Sequence, residues 1–237
     1  MSDIQYKDIK SSWESTKAQS FYHFDNTRFD HRYDCIFPVG RFIGDWKDEI
    51  EWVIEHSKPS SWRTRVYGGN TDRGDGGTNT PPNNWIDAEE YDIIKAGGDP
   101  SLTLCRMGHE LPPTLKKMCD MIGLENGHDK AHAQMTGEVF TKHIDKLGRI
   151  YPEDPDKIMR IMIMLTDWEP GHFYQYGNYT YQGWKAGDIH YFDWKNVPHC
   201  TANAGLAPRV SLVTTGVRGP KTEEFLKLAR SVDAIEV

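Results

Sequence analysis

The segment TKHIDKLG (141–148) places a histidine and an aspartate two positions apart, His143 and Asp145. In an extended chain, residues i and i+2 lie on one side, so an imidazole and a carboxylate there converge on one point. That is a partial ligand set for a metal ion, and a third ligand must come from elsewhere. Three histidines follow, His172, His190 and His199. His172 lies in EPGHFY, which reads as a turn and predicts an exposed side chain. His190 lies inside DIHYF, where a packed strand histidine is the simpler reading. His199 opens a segment that turns through NAGLAP into RVSLV.

Ten residues after His199 stands Arg209, with Ser211 two further on. If the chain reverses over 203–208, the strands that carry His199 and Arg209 lie near each other. Arg209 and Ser211 then share one face, and Val210 and Leu212 take the other. Arginine suits a carboxylate because its planar fork donates two parallel hydrogen bonds.

The order His143-x-Asp145, distant His199, then Arg209-x-Ser211 resembles the Fe(II)/2-oxoglutarate-dependent dioxygenase superfamily. Within it, the chain is similar to small bacterial and phage-type oxygenases. The resemblance covers roughly residues 131–217 and includes WKAGDIHYFDWKNVPHCTANAG. It implies a mainly β fold, a double-stranded β-helix (a cupin-like jelly roll) with supporting α-helices. It implies Fe(II) held by His143, Asp145 and His199, a facial triad that leaves open positions. It further implies 2-oxoglutarate and O2 as cosubstrates, with the far carboxylate of 2-oxoglutarate on Arg209 and Ser211, and hydroxylation of a C–H bond. In the prolyl-hydroxylase branch, a tyrosine three residues before a glycine helps bind 2-oxoglutarate. Here Gln134 precedes Gly137 at that spacing, and its amide can donate a similar bond. Phe140 matches a substrate-facing aromatic position, with core packing as the alternative. Trp168 and Tyr174 either line the cavity or fill the sheet.

Other arrangements compete. HxD alone occurs by chance in many chains; only the combination is specific. His128 and His132, at i and i+4 in ENGHDKAHA, form a rival pair, but the segment has a glycine and no apolar stripe, and two solvated histidines are predicted. His109 reads as structural. A cupin-type metalloenzyme would share the fold but has no use for a clamp at Arg209 and Ser211. A non-catalytic jelly-roll module would be free to lose the ligands that are present here.

These residues need elements to hold them. Segments 46–58, 112–124 and 221–232 have apolar residues at helical spacing, with prolines ahead of the last two where the first turn tolerates them. From residue 131 onward, short runs rich in β-branched and aromatic residues alternate with turn signals, which predicts a sandwich or barrel. One domain over 1–237 is expected: a helical and loop-rich part to 130, a jelly-roll core over 131–217 and a closing helix over 218–237. The Gly-, Asn- and Pro-rich stretch 67–84 reads as a long loop, either a lid or a disordered insertion.

Composition narrows the function. A net charge of −7 with no basic run disfavours nucleic acid as a partner. No apolar run approaches the ~18 residues of a membrane span, and the polar start MSDIQYKDIK lacks the apolar stretch of a signal peptide, so a cytoplasmic address is expected. The four cysteines have no CxxC spacing and read as free thiols. The expected substrate is a small metabolite, an amino acid or a peptide side chain.

Overall fold

The computed structural model describes residues 36–60, 105–143, 145, 147, 151–177 and 179–237. The stretch 67–84 lies outside them. Twelve strands and three α-helices are present among the described residues. In chain order they are β1 (Ile36–Ile43), α1 (Lys47–His56), β2 (Lys58–Ser60), β3 (Cys105–Gly108), α2 (Pro113–Ile122), β4 (Glu125–Gln134) and β5 (Val139–His143). There follow β6 (Ile158–Met164), β7 (His172–Tyr176), β8 (Tyr179–Tyr181), β9 (Asp188–Phe192), β10 (His199–Asn203), β11 (Arg209–Val217), α3 (Pro220–Ser231) and β12 (Ile235–Glu236).

The strands form two sheets. The larger runs β12-β1-β9-β6-β11-β4-β3-β2 and the smaller β5-β10-β7-β8. From β4 to β11 the chain passes back and forth between them, and every pairing within this stretch is antiparallel. This is a mainly β, jelly-roll core, a double-stranded β-helix with helices against its outer face.

Two apolar cores follow from strand alternation. Ile161, Ile163, Val210 and Leu212 point outward from the large sheet to meet Leu115, Met118 and Ile122 of α2 and Phe225 and Leu226 of α3. The alternate residues Met162, Met164 and Val213 point inward and pack with Tyr174, Tyr176, Trp184 and Phe192 between the sheets. Helix α2 starts on Pro113 and stops at Gly123, whose left-handed φ of 70° ends the helix. The first free N–H groups of α2 are taken by the Glu49 carboxylate of α1, 2.9 Å from Thr114 N and 3.0 Å from Leu115 N. The three helices stand where their apolar periodicity puts them.

The sheet begins earlier than expected. Strands β1 to β3 and the first half of β4 precede residue 131, so part of the segment predicted to be helical and loop-rich supplies sheet. Gly127, a residue type that signals turns, instead lies inside β4. A Cβ there would lie 2.6 Å from the Thr215 carbonyl oxygen. The glycine lets β4 run close beside β11 through a register irregularity at Thr215–Val217 instead of reversing the chain. Gly187 performs a similar service at the KAGD turn. Its φ is +89° and a Cβ would lie 2.0 Å from the Phe42 carbonyl oxygen, while its N–H donates to Met164 O at 2.6 Å.

Candidate functional site

The inward face of β11 presents Arg209, Ser211, Val213 and Thr215. On the neighbouring β4 these stand opposite Gln134, His132, Lys130 and His128. On the other side, β6 sets Met164, Met162 and Arg160 against Ser211, Val213 and Thr215. From the small sheet, β10 turns His199, Thr201 and Asn203 inward, opposite Tyr176, Tyr174 and His172 of β7. The two inner faces enclose a cavity of about 30 Å³ lined by His132, Phe140, Arg160, His199, Arg209 and Ser211, among others.

His143 and His199 are direct partners in the β5–β10 ladder. The imidazole of His143 lies outside the described side chains. Asp145, two residues on, brings its Oδ2 to 3.6 Å from His199 Nε2 and 3.2 Å from Arg160 Nη1. The other imidazole nitrogen, His199 Nδ1, lies 3.2 Å from the Val197 carbonyl oxygen. A carbonyl only accepts, so Nδ1 carries the proton and Nε2 turns its lone pair toward Asp145. Burial holds the His199 pKa below its ordinary value, and the Asp145 charge opposes that only in part. A neutral imidazole lone pair and a carboxylate oxygen thus face one another.

That donor set fits a metal ion. Two atoms each about 2.1 Å from one ion can lie up to about 4.2 Å apart, and a ligating histidine commonly donates its other N–H to a backbone carbonyl. Among the described residues, no three His, Cys, Asp or Glu side chains converge; the third place in the expected set belongs to His143.

Arg209 is buried, with its guanidinium 4.9 Å from the Tyr174 ring centroid and a donated bond to the Gln134 Oε1. Ser211 is buried beside it on the same face. Gln134 therefore touches the arginine that the resemblance assigns to a carboxylate, and accepts from it instead of donating. Phe140 lines the cavity. Tyr174 lines it too, burial raising its pKa. The adjacent Tyr176 stacks on Tyr174 at 4.7 Å and has its hydroxyl 2.7 Å from His190 Nε2. His190 is fully enclosed, and burial alone pushes its pKa down to about 3.

Several expectations need correction. Trp168 is not among the residues that line this cavity; its indole N–H donates to the His172 carbonyl at 3.0 Å and braces the β6–β7 turn. His172 is buried, not exposed. Its Nδ1 accepts from Glu169 N at 3.1 Å and its Nε2 meets Ala207 O at 2.9 Å. His128 and His132 are half-buried, not exposed. Both belong to the inner face of β4; burial first, then nearby Lys130, pushes the His128 pKa down to about 3, and His132 lines the cavity.

Two contributors are missed in the sequence: Arg160 is not singled out, and His132 reads as solvated. Each carried a signal. Arg160 interrupts the otherwise apolar run IMRIMIM, which is buried on both faces. In KAHAQ (130–134), polar residues alternate with alanine at the period of a strand.

No family model matches the sequence, and no curated protein does. Solved structures of low similarity include a prolyl-4-hydroxylase from Pseudomonas putida, 19% identical, with a TM-score of 0.36, covering 48% of this chain and 69% of that one. A Cupin 2 conserved barrel domain protein from Salinispora arenicola is 14% identical with a TM-score of 0.31, covering 54% and 87%. A predicted oxalate decarboxylase from Thermotoga maritima is 15% identical with a TM-score of 0.32, covering 48% and 81%. These are likenesses of a cupin or double-stranded β-helix kind, too slight to argue from, and the fold rests on the strand order itself.

Proposed function

We propose that the chain is a non-heme Fe(II), 2-oxoglutarate-dependent oxygenase that hydroxylates a C–H bond of an amino acid, a peptide side chain or a small metabolite. The observation that carries this reading is the apposition of His199 Nε2 and Asp145 Oδ2, 3.6 Å apart, beside a cavity that His199 and the buried Arg209 line. The first feature calls for a cation, and the second for a carboxylate.

His143, Asp145 and His199 would hold the iron. The chemistry such a group supplies when bound is oxidative decarboxylation of 2-oxoglutarate to succinate and CO2, coupled to insertion of oxygen into a C–H bond. Arg209 binds and orients the far carboxylate of the cosubstrate, and Ser211 adds a hydroxyl donor. The Val197 carbonyl fixes the His199 tautomer. Phe140, Phe192 and Met162 keep the cavity dry, which strengthens each charged contact within it. A cavity of about 30 Å³ holds roughly one water. A five-carbon diacid is larger than this space, so its binding would need lining side chains to move and Arg209 to exchange the Gln134 amide for the carboxylate.

Anaerobic addition of Fe(II) and then 2-oxoglutarate tests the reading. The expected result is a visible charge-transfer band of the chelate. Metal binding without that band would point to a cupin-type metalloenzyme that does not use 2-oxoglutarate.

A further inference from the structure

Arg160 has no task in the mechanism above. It is a buried guanidinium on the inner face of β6, a wall of the cavity, 3.2 Å from Asp145 Oδ2. That oxygen is the same one that faces His199 Nε2. In the strand register Arg160 stands opposite Thr215, six residues along β11 from Arg209, or roughly 20 Å of strand. The two arginines thus enter the cavity from opposite ends, Arg209 at the Gln134 end and Arg160 at the Asp145–His199 end.

Charge decides what Arg160 can do there. No acid is among the described residues that line the cavity, and Asp145 is the described carboxylate beside it. Among the groups that line or touch the cavity, with the buried Lys130 of β4 outside its lining, two guanidiniums and a divalent ion against one carboxylate leave three positive charges. The two carboxylates of 2-oxoglutarate neutralise two. One positive charge remains, in a space where unmatched charge is strongly disfavoured. It remains next to Arg160, because an ion bound at Asp145 Oδ2 competes with the guanidinium for that oxygen.

We infer that Arg160 receives an anionic group of the substrate, and that the substrate class is a carboxylate-bearing small molecule. The inference rests on the oxygenase reading above. A planar fork freed from part of its pairing with Asp145 suits a carboxylate, which accepts two parallel N–H bonds. Arg160 is then a specificity-determining residue, and the C–H bond to be oxidised lies on a molecule tethered by its acid group at the iron end of the cavity.

The test uses the full chain loaded with Zn(II) and N-oxalylglycine, an unreactive mimic of 2-oxoglutarate. Amino acids, N-acetyl amino acids and simple dicarboxylic acids are screened by saturation-transfer NMR and calorimetry, each beside its neutral amide. The expected result is at least one acid that binds wild type tenfold or more tightly than its amide. That preference falls to about twofold or less in Arg160→Gln and is partly kept in Arg160→Lys, while N-oxalylglycine affinity stays within about threefold in both. If Arg160→Gln does not fold, the lysine variant alone decides, since loss of the fork must weaken the acid and spare the amide. Equal binding of acids and amides to wild type overturns the inference. So does a variant that weakens N-oxalylglycine instead, which would give Arg160 to the cosubstrate. If N-oxalylglycine itself fails to bind wild type, the oxygenase reading falls first and this inference with it.

Discussion

Asp145 Oδ2 sits 3.6 Å from the lone-pair nitrogen of His199, while the opposite nitrogen is committed to the Val197 carbonyl. Two electron-rich atoms held face to face in a buried site are at ease only with a positive charge close by. Arg160, at 3.2 Å, supplies part of it.

Removing either partner should therefore separate metal binding from folding. His199→Ala and His143→Ala should lose Fe(II) binding, read by titration under argon, with unchanged circular dichroism. Asp145→Ala should do the same and also destabilise the metal-free chain, by about 3 kcal/mol, because Arg160 stays buried without its counter-charge. Retained metal affinity in a variant would remove that residue from the ligand set.

The clamp is separable from the metal. Arg209→Ala should leave Fe(II) binding intact and weaken 2-oxoglutarate by about 2–5 kcal/mol, roughly 30-fold to several-thousand-fold, as expected for a buried charged pair. Lysine at this position should recover part of the loss, since it keeps the charge without the fork. Ser211→Ala should cost about 1 kcal/mol for one neutral donor. The readout is the cosubstrate concentration needed to develop the charge-transfer band.

Acid stability should report His190. Its folded pKa is depressed to about 3 by burial, whereas the unfolded chain protonates near 6.5. Between these values the unfolded state binds the extra proton, so stability falls as pH drops through that window, at up to about 1.4 kcal/mol per unit. This group alone should make the fold about 2 kcal/mol less stable at pH 5 than at pH 7. His190→Gln should flatten that limb in urea titrations, leaving the part owed to His128. An unchanged slope would mean that His190 is not sealed from solvent.

Trp168 should matter for stability and not for ligands. Trp168→Phe removes the indole N–H donated to the His172 carbonyl, which should cost about 1 kcal/mol. Cosubstrate affinity should be unaltered. A large change in cosubstrate affinity with an unchanged melting temperature would return Trp168 to the cavity wall.

The sequence alone determined the relationships that live within one strand or one helix. The i, i+2 spacing of Arg209 and Ser211 sets both side chains on one face, and the structure has them there with Val210 and Leu212 on the other. Helices α1, α2 and α3 stand where apolar residues recur at helical spacing, and prolines open the first turn of α2 and α3. The repeated passage between sheets was legible as short apolar runs separated by turn signals, because backbone geometry near a residue depends on its neighbours in the chain.

Tertiary structure decided which faces look inward. His128 and His132 read as two solvated histidines, and only the opposing small sheet makes the face of β4 that carries His132 and Gln134 the lining of a cavity. Gly127 reads as a turn signal until β11 passes beside it. Arg160 interrupts an apolar strand run for no local reason, and only Asp145, distant in sequence, gives it a partner. His172 and Trp168 changed places, the first becoming buried and the second bracing a turn, because the chain segment that covers each is distant in sequence. Burial is a property of what packs across from a residue, and local spacing carries no record of that.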